Sequence, residues 1–136
     1  MPNHFHFLLQ ILQPCELSTM MKNFLISYTK AINKRYGKVG HLFQGQFKSK
    51  EIESLDYLLT VSRYLHNNPK KAKLVNQNEE WEFSSYLEYL GLRYDELVKK
   101  ELILQNYKAI VEYKEFVESM PELEFSELER SNFRSL

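Results

Sequence analysis

The feature that most constrains the fold is a short apolar run near the start of the chain that contains two histidines. The run from His4 to Ile11 is almost wholly apolar, long enough for a buried strand and too short and uncapped for a helix. Side chains alternate along a strand, so His4 and His6 would share one face and Phe5 and Phe7 the other. Two imidazoles on one rigid face can give two nitrogen ligands to one metal ion. The simpler alternative is that both histidines are polar side chains reaching solvent.

The charge distribution points to a polyanionic partner. The 136 residues suit one domain and carry no net charge. Residues 1–75, however, hold 11 Lys and Arg against four acids, a net charge of +7, which leaves −7 for the remainder. A basic half beside an acidic half favours a polyanion-binding surface on the first part. The alternative is two solvated surfaces that simply differ in charge.

The cysteine content and the hydropathy indicate in which cellular compartment we expect the protein. Cys15 is the single cysteine, which excludes a disulfide framework and a thiolate metal cluster. The N-terminus has no cationic leader pattern, and no apolar run approaches membrane-spanning length. We therefore expect a soluble, cytoplasmic protein.

Capping and breaking residues divide the first 70 residues into elements. After a break at Pro14, Ser18 is a candidate N-cap for a helix that Gly37 closes. Residues 42–50 predict a second strand, and a second helix begins near Leu55.

The rest of the chain predicts mainly helices. Ser54 is the candidate N-cap of the second helix, and Pro69 is expected to end it. From Tyr94 onward the apolar spacing predicts one or two amphipathic helices, and the tail after Met120 is expected to be loosely ordered.

A tyrosine and an asparagine in the second helix are candidates for chemistry. Tyr64 and Asn68 stand four residues apart and therefore on one helix face. A tyrosine hydroxyl, with a reference pKa of about 10, becomes a useful nucleophile when a nearby cation stabilises the phenolate or polarises its target. The amide oxygen of Asn68 could be a third ligand for such a cation. The alternative is that Tyr64 only packs and that Asn68 caps the helix before Pro69.

Four segments, in this order, resemble one enzyme family. They are MPNHFHFLL from residue 1, GHLFQGQF from residue 40, RYLHNNPKKA from residue 63 and WEFSSY from residue 81. Together they resemble the single-strand tyrosine transposases of the HUH class, most closely the REP-associated (RAYT-like) branch of the IS200-like transposases. Relaxases and replication initiators share the chemistry but typically order these motifs differently.

The resemblance implies an α+β, ferredoxin-like HUH domain over residues 1–92, with a partial antiparallel sheet and helices on one face. Residues 93–136 would then form a helical C-terminal extension. By resemblance, His4 and His6 bind Mg²⁺ or Mn²⁺, Asn68 assists as a metal ligand, and Tyr64 is the nucleophile. The implied reaction cleaves and rejoins single-stranded, hairpin-flanked DNA through a 5′-phosphotyrosine.

Family members usually have further strands and a helix before the histidine motif, whereas this chain opens at the motif. We therefore expect self-association, as a homodimer, to cover the exposed sheet edge. The alternative function is a catalytically inactive, truncated remnant that only binds DNA. In either case we expect the basic residues to contact DNA, namely Lys22, Lys30, Lys34, Arg35, Lys38, Lys48, Lys50, Arg63, Lys70, Lys71 and Lys73.

Overall fold

The chain divides into two compact units in the computed structural model, which describes residues 1–13, 16–121 and 134–135. The first unit comprises Met1–Leu8 and Ile52–Ser131, and the second comprises Leu9–Glu51 and Asn132–Leu136. We call them the core unit and the basic unit. These units follow spatial contacts, so the family-based division at residue 92 stays a prediction.

The described residues form a mixed fold that is rich in α-helix. The helices are α1 (Leu17–Tyr36), α2 (Leu55–Lys71), α3 (Tyr86–Tyr89), α4 (Glu101–Leu104) and α5 (Ile110–Glu118), with a 3-10 turn at Asn78–Glu80. The two described strands, β1 (Lys48–Ser49) and β2 (Arg134–Ser135), pair antiparallel. The ferredoxin-like sheet is therefore not seen in the part of the chain that the structure describes.

The prediction of a strand from His4 to Ile11 is wrong, because residues 4–11 have no regular secondary structure. A strand needs a neighbour for its backbone N–H and C=O groups. None of the described strands lies beside this segment. Its apolar side chains are largely exposed, with Phe7 at 51% and Ile11 at 49%.

Helix α1 ends as predicted but begins differently. Glu16, not Ser18, is the N-cap, and the Thr19 hydroxyl donates to the Glu16 carboxylate at 2.8 Å. Gly37 closes the helix with a left-handed φ of 61°, a conformation that favours glycine. The strand predicted over residues 42–50 is reduced to β1.

Helix α2 holds most of the candidate site residues. The Ser54 hydroxyl accepts from the Tyr57 backbone N–H at 3.2 Å, which confirms the predicted N-cap. The prediction that Pro69 ends the helix is wrong, because α2 continues to Lys71. A proline removes its own N–H bond and crowds the carbonyl four residues earlier, but the Ala72 N–H still donates to the Asn68 carbonyl at 2.9 Å.

The core unit is built around tyrosines. Its buried cluster contains Tyr86, Tyr89, Ile103, Tyr113 and Val117. Helix α5 packs on α2, so the C-terminal segment covers the helix that carries Tyr64. The predicted amphipathic helices beyond Tyr94 correspond to the short helices α4 and α5.

Two predictions concern residues that lie outside the part of the chain that the structure describes. The predicted break at Pro14 falls on one of them, and the loosely ordered tail beyond Met120 falls largely on residues 122–133. Among the described helices, none is long and apolar enough to span a membrane.

Candidate active site and nucleic-acid interface

The two N-terminal histidines lie next to each other although they are not on a strand. The His4 and His6 ring centroids are 5.0 Å apart, with the rings edge to face. The Oδ1 atom of Asn3 lies 2.7 Å from Nδ1 of His4. Because a carboxamide oxygen can only accept, Nδ1 is the donor in this contact, and Nε2 makes no hydrogen bond to Asn3.

Helix α2 brings the tyrosine and the asparagine to the second histidine. The ring centroids of His6 and Tyr64 are 5.9 Å apart, and Nδ2 of Asn68 is 3.3 Å from Nε2 of His6. Tyr64 is 8% exposed and Asn68 is 6% exposed, whereas His6 is on the surface. The structure thus brings together residues that are about 60 positions apart in the sequence.

The surroundings of His6 keep its imidazole neutral. Loss of hydration, followed by the charges of His4 and of the N-terminal amine, lowers the pKa of His6 to about 4. At neutral pH only one of the two ring nitrogens therefore carries a proton, and the lone pair of the other remains for a cation or a hydrogen bond.

This donor set suits a divalent cation only in part. Within the described ranges, no three or more His, Cys, Asp and Glu side chains are grouped so that they could hold a metal ion. The candidate ligands are two imidazoles and one amide, whose nitrogen and oxygen positions interchange by a 180° rotation. With the amide oxygen turned toward His6, the ligands would be two nitrogens and one oxygen. Mn²⁺ accepts such a mixed set more readily than Mg²⁺, which prefers oxygen ligands.

A buried hydrogen-bond network holds α2 in place behind the candidate site. Nδ1 of His66 lies 2.8 Å from the Tyr113 hydroxyl, and Nε2 lies 2.9 Å from the Ser85 hydroxyl. The Tyr113 hydroxyl also lies 2.7 Å from the Ser62 hydroxyl. Burial lowers the pKa of His66 to about 3, so its ring is neutral and serves as both donor and acceptor.

Sequence reasoning gave His66 no role. The available signal was its position in the middle of an amphipathic helix, where a buried histidine needs partners on both nitrogens. Its partners lie 19 and 47 positions away, and a single sequence does not reveal such distant pairs.

Arg63 is placed unfavourably for the predicted DNA contact. It is 9% exposed, and its guanidinium carbon lies 4.1 Å from the centre of the Phe116 ring. Nη1 also donates to the Phe116 carbonyl at 3.5 Å. Arg63 therefore binds α5 to α2 and is not presented to a phosphate.

The other predicted DNA-contacting residues remain at the surface, and most of them belong to the basic unit. Exposed side chains on that unit are those of Lys22, Lys30, Lys34, Arg35, Lys38, Lys48 and Lys50. On the core unit, Lys70 and Lys73 are exposed and Lys71 is half-buried, all at the end of α2 or just beyond it.

The family model described as "Transposase IS200 like" matches residues 1–68. The chain belongs to the IS200-like transposase family. This match confirms the family inferred from the sequence motifs, and it spans His4, His6, Tyr64 and Asn68. The WEFSSY segment from residue 81 lies beyond it. Neither the curated proteins nor the solved structures contain a match to the chain.

Proposed function

We propose that this IS200-like family member cleaves and rejoins single-stranded, hairpin-flanked DNA, with Tyr64 as the nucleophile. The observation that carries the proposal is the convergence of His4, His6, Tyr64 and Asn68 from two distant segments of the chain. A structural role alone does not require two adjacent imidazoles beside a tyrosine.

In the proposed reaction the Tyr64 oxygen attacks the scissile phosphorus. The bond between phosphorus and the 3′ oxygen of the upstream nucleotide breaks, and a bond forms between the tyrosine oxygen and the 5′ phosphate of the downstream segment. The departing 3′ oxygen takes up a proton, and the tyrosine loses one. Attack by another strand's 3′-hydroxyl reverses these steps. The phosphodiester is exchanged and not hydrolysed, so no nucleotide cofactor is needed.

His4, His6 and Asn68 are the residues that we propose to hold a divalent ion, Mn²⁺ or Mg²⁺. When bound, such an ion polarises a phosphoryl oxygen and stabilises the charge that develops on it. Asn3 contributes by fixing the His4 ring with Nε2 available, which is the usual effect of a second partner on a ligating histidine.

Burial of Tyr64 sets a requirement on the reaction. Tyr64 packs against Met120 and against Tyr57, Val61 and Leu65. With 8% of its surface exposed, its hydroxyl must become more accessible before a strand reaches it. DNA binding at the neighbouring histidines therefore has to displace part of this cover.

The same burial favours a second candidate function, DNA binding without cleavage. In that case the residues around His6 form a static contact and the basic side chains alone hold the strand. The two functions differ in one observable, a covalent protein–DNA adduct.

The test is an adduct assay with a hairpin oligonucleotide that has a single-stranded flank. Wild-type protein and Mn²⁺ should give a band that resists denaturation and carries a label on the 3′ portion of the strand, because the enzyme retains the 5′ end of that portion. Tyr64→Phe should give none. Tyr94→Phe is the matched control. Tyr94 is 82% exposed and is not one of the candidate site residues, so the loss of its hydroxyl should leave both the fold and the adduct unchanged.

Two results would contradict the proposal. One is an adduct that survives in Tyr64→Phe, which assigns the nucleophile to another tyrosine. The other is tight binding of the hairpin by wild-type protein with no adduct in Mn²⁺ or Mg²⁺, which supports the binding-only function.

Self-association is a further part of the proposal. Apolar residues at the start of the chain are exposed, including Leu9 and Ile11 at 49% each, and a second copy could cover them. Sedimentation of the purified chain should show a dimer, and a monomer at all concentrations would remove this part of the proposal.

A further inference from the structure

A groove on the basic unit has no role in the chemistry proposed above. It lies between α1 and the segment from Gly40 to Phe47 and has a volume of about 610 Å³. Leu25, Ile26, Phe43 and Phe47 contribute apolar lining.

Basic and polar side chains complete the lining of the groove. Lys22 and Lys30 both line it from α1. They are eight residues apart, or about 12 Å along the helix axis, and so can contact different phosphates of one strand. His41 and Gln46 supply polar groups from the facing segment.

A hydrogen bond and a ring contact fix the two sides of the groove relative to each other. The Asn33 amide donates to the Gly40 carbonyl at 2.9 Å, which fixes the segment to α1. The Phe43 ring lies 6.0 Å from that of Tyr28 on α1. The aromatic ring of Phe43 is therefore positioned by the helix and remains partly exposed.

The charge of this region selects an anionic occupant. Residues 9–51 contain seven Lys and Arg and two Glu, a net charge of +5. A concave surface with a flat ring and cations in its lining combines the two features that bind unpaired single strands, base stacking and phosphate neutralisation. A base-paired strand does not present its base faces in this way.

We propose that this groove binds the unpaired bases of a single DNA strand, with Phe43 as the stacking platform and Lys22 and Lys30 as phosphate contacts. The proposal rests on the proposed function, because it supplies the surface that holds the strand that Tyr64 cleaves. It assigns base binding to a part of the molecule that contains none of the four candidate catalytic residues.

The test compares two labelled strands by fluorescence anisotropy, with EDTA present so that no cleavage occurs. The probes are a ten-residue thymidine strand and an abasic strand of equal length and charge. Wild-type protein should bind the thymidine strand more tightly. Phe43→Leu should weaken that binding by at least about fivefold, the lower end of the loss on removing a stacked ring, and leave the abasic strand unaffected.

Charge and ring controls separate the two contributions. Replacing Lys22 and Lys30 together with Ala should weaken binding of both strands, while replacing Lys99 and Lys108 together should change neither. Phe83→Leu on the core unit is the ring control, because Phe83 is 77% exposed. Phe43→Tyr retains the ring and should bind like wild type, and unchanged binding of the abasic strand by Phe43→Leu excludes a folding defect in that variant.

A cross-linking experiment gives an independent readout. A bromodeoxyuridine strand, irradiated with wild-type protein, should cross-link to peptides from α1 or residues 40–47. Equal affinity for the thymidine and abasic strands, or cross-links confined to the core unit, would overturn the proposal. So would a loss of dimer in Phe43→Leu with DNA affinity unchanged, because the groove would then bind a second copy of the chain.

Failure of this proposal is distinguishable from failure of the proposed function. If the groove variants bind like wild type but the Tyr64 adduct forms, only the base-binding assignment is wrong. If Phe43→Leu loses base-dependent binding but no adduct forms in the wild type, the groove binds bases and the catalytic assignment is wrong.

Discussion

The core unit and the basic unit differ in both packing and charge. Nearly all buried side chains among the described residues belong to the core unit, and Met21 is the one that belongs to the basic unit. Residues 9–51 carry a net charge of +5, so the acidic residues are concentrated in the core unit. Under the proposed function the two units have different roles: the tightly packed, tyrosine-rich core unit positions the candidate catalytic residues, and the sparsely packed basic unit contacts the DNA.

The largest expected effect tests where the stability resides. Tyr113→Ala removes a fully buried ring of the core unit and should lower the free energy of unfolding by about 3–5 kcal/mol. Tyr28→Ala, at a ring that is 47% exposed on the basic unit, should cost less than about 1 kcal/mol. Urea denaturation measures both, and equal losses would contradict the contrast between the units.

A smaller change tests the hydrogen-bond network alone. Tyr113→Phe keeps the ring but leaves the Ser62 hydroxyl and His66 without their shared partner. An unsatisfied buried polar group costs about 1–3 kcal/mol, so this variant should lose that much stability. A stability equal to that of wild type would show that the hydroxyl contributes nothing to holding α2.

The DNA-binding side of the comparison is tested by salt dependence. Replacing Lys34 and Arg35 together with Ala should reduce the slope of log affinity against log salt by about 1.4, since each single-strand phosphate contact contributes about 0.7. The paired control, Lys99 and Lys108 on the core unit, should leave the slope unchanged. Similar slopes for both pairs would mean that the strand does not favour the basic unit.

The smallest effect concerns an ion pair in the core unit. The Arg93 guanidinium donates to both carboxylate oxygens of the buried Glu88, which lowers the pKa of that carboxyl. The folded state therefore binds fewer protons than the unfolded state, so the stabilisation is present at neutral pH. This stabilisation is lost as the pH falls below the ordinary pKa of a glutamate carboxyl and then through the lowered pKa of Glu88.

Glu88→Gln measures this contribution. At about pH 7 it should cost about 1 kcal/mol or less, because the Arg93 side chain is 39% exposed and partly screened by solvent. The difference from wild type should shrink as the pH falls below the ordinary pKa of a glutamate carboxyl. A difference that stays constant with pH would show that packing, and not charge, accounts for it.

Local signals in the sequence predicted some of the fold correctly. Ser54 and Gly37 could be assigned because a cap depends on the residue and its immediate neighbours. The strand at His4 failed because strand formation depends on a partner elsewhere in the chain, and periodicity does not reveal whether one exists. The prediction for Pro69 failed because a proline removes its own backbone N–H donor, while later N–H groups such as that of Ala72 can still make helical bonds.

For the candidate site, too, the sequence predicted local features but not tertiary contacts. The helical spacing of four predicted a common face for Tyr64 and Asn68, and the family motifs pointed to the histidines. The approach of His6 to both residues is a tertiary contact across about 60 positions. Burial of Tyr64 and the pairing of Arg63 with Phe116 come from α5 and the residues after it, and no motif covers that region.

The central claim is that Tyr64 becomes covalently joined to DNA, and the most direct measurement is to locate the nucleotide on the protein. The adduct formed with the hairpin strand is digested with nuclease and protease and then sequenced by tandem mass spectrometry. We expect a 5′-linked nucleotide on the peptide that contains Tyr64, and on no other tyrosine peptide. A nucleotide found on a different tyrosine would contradict it.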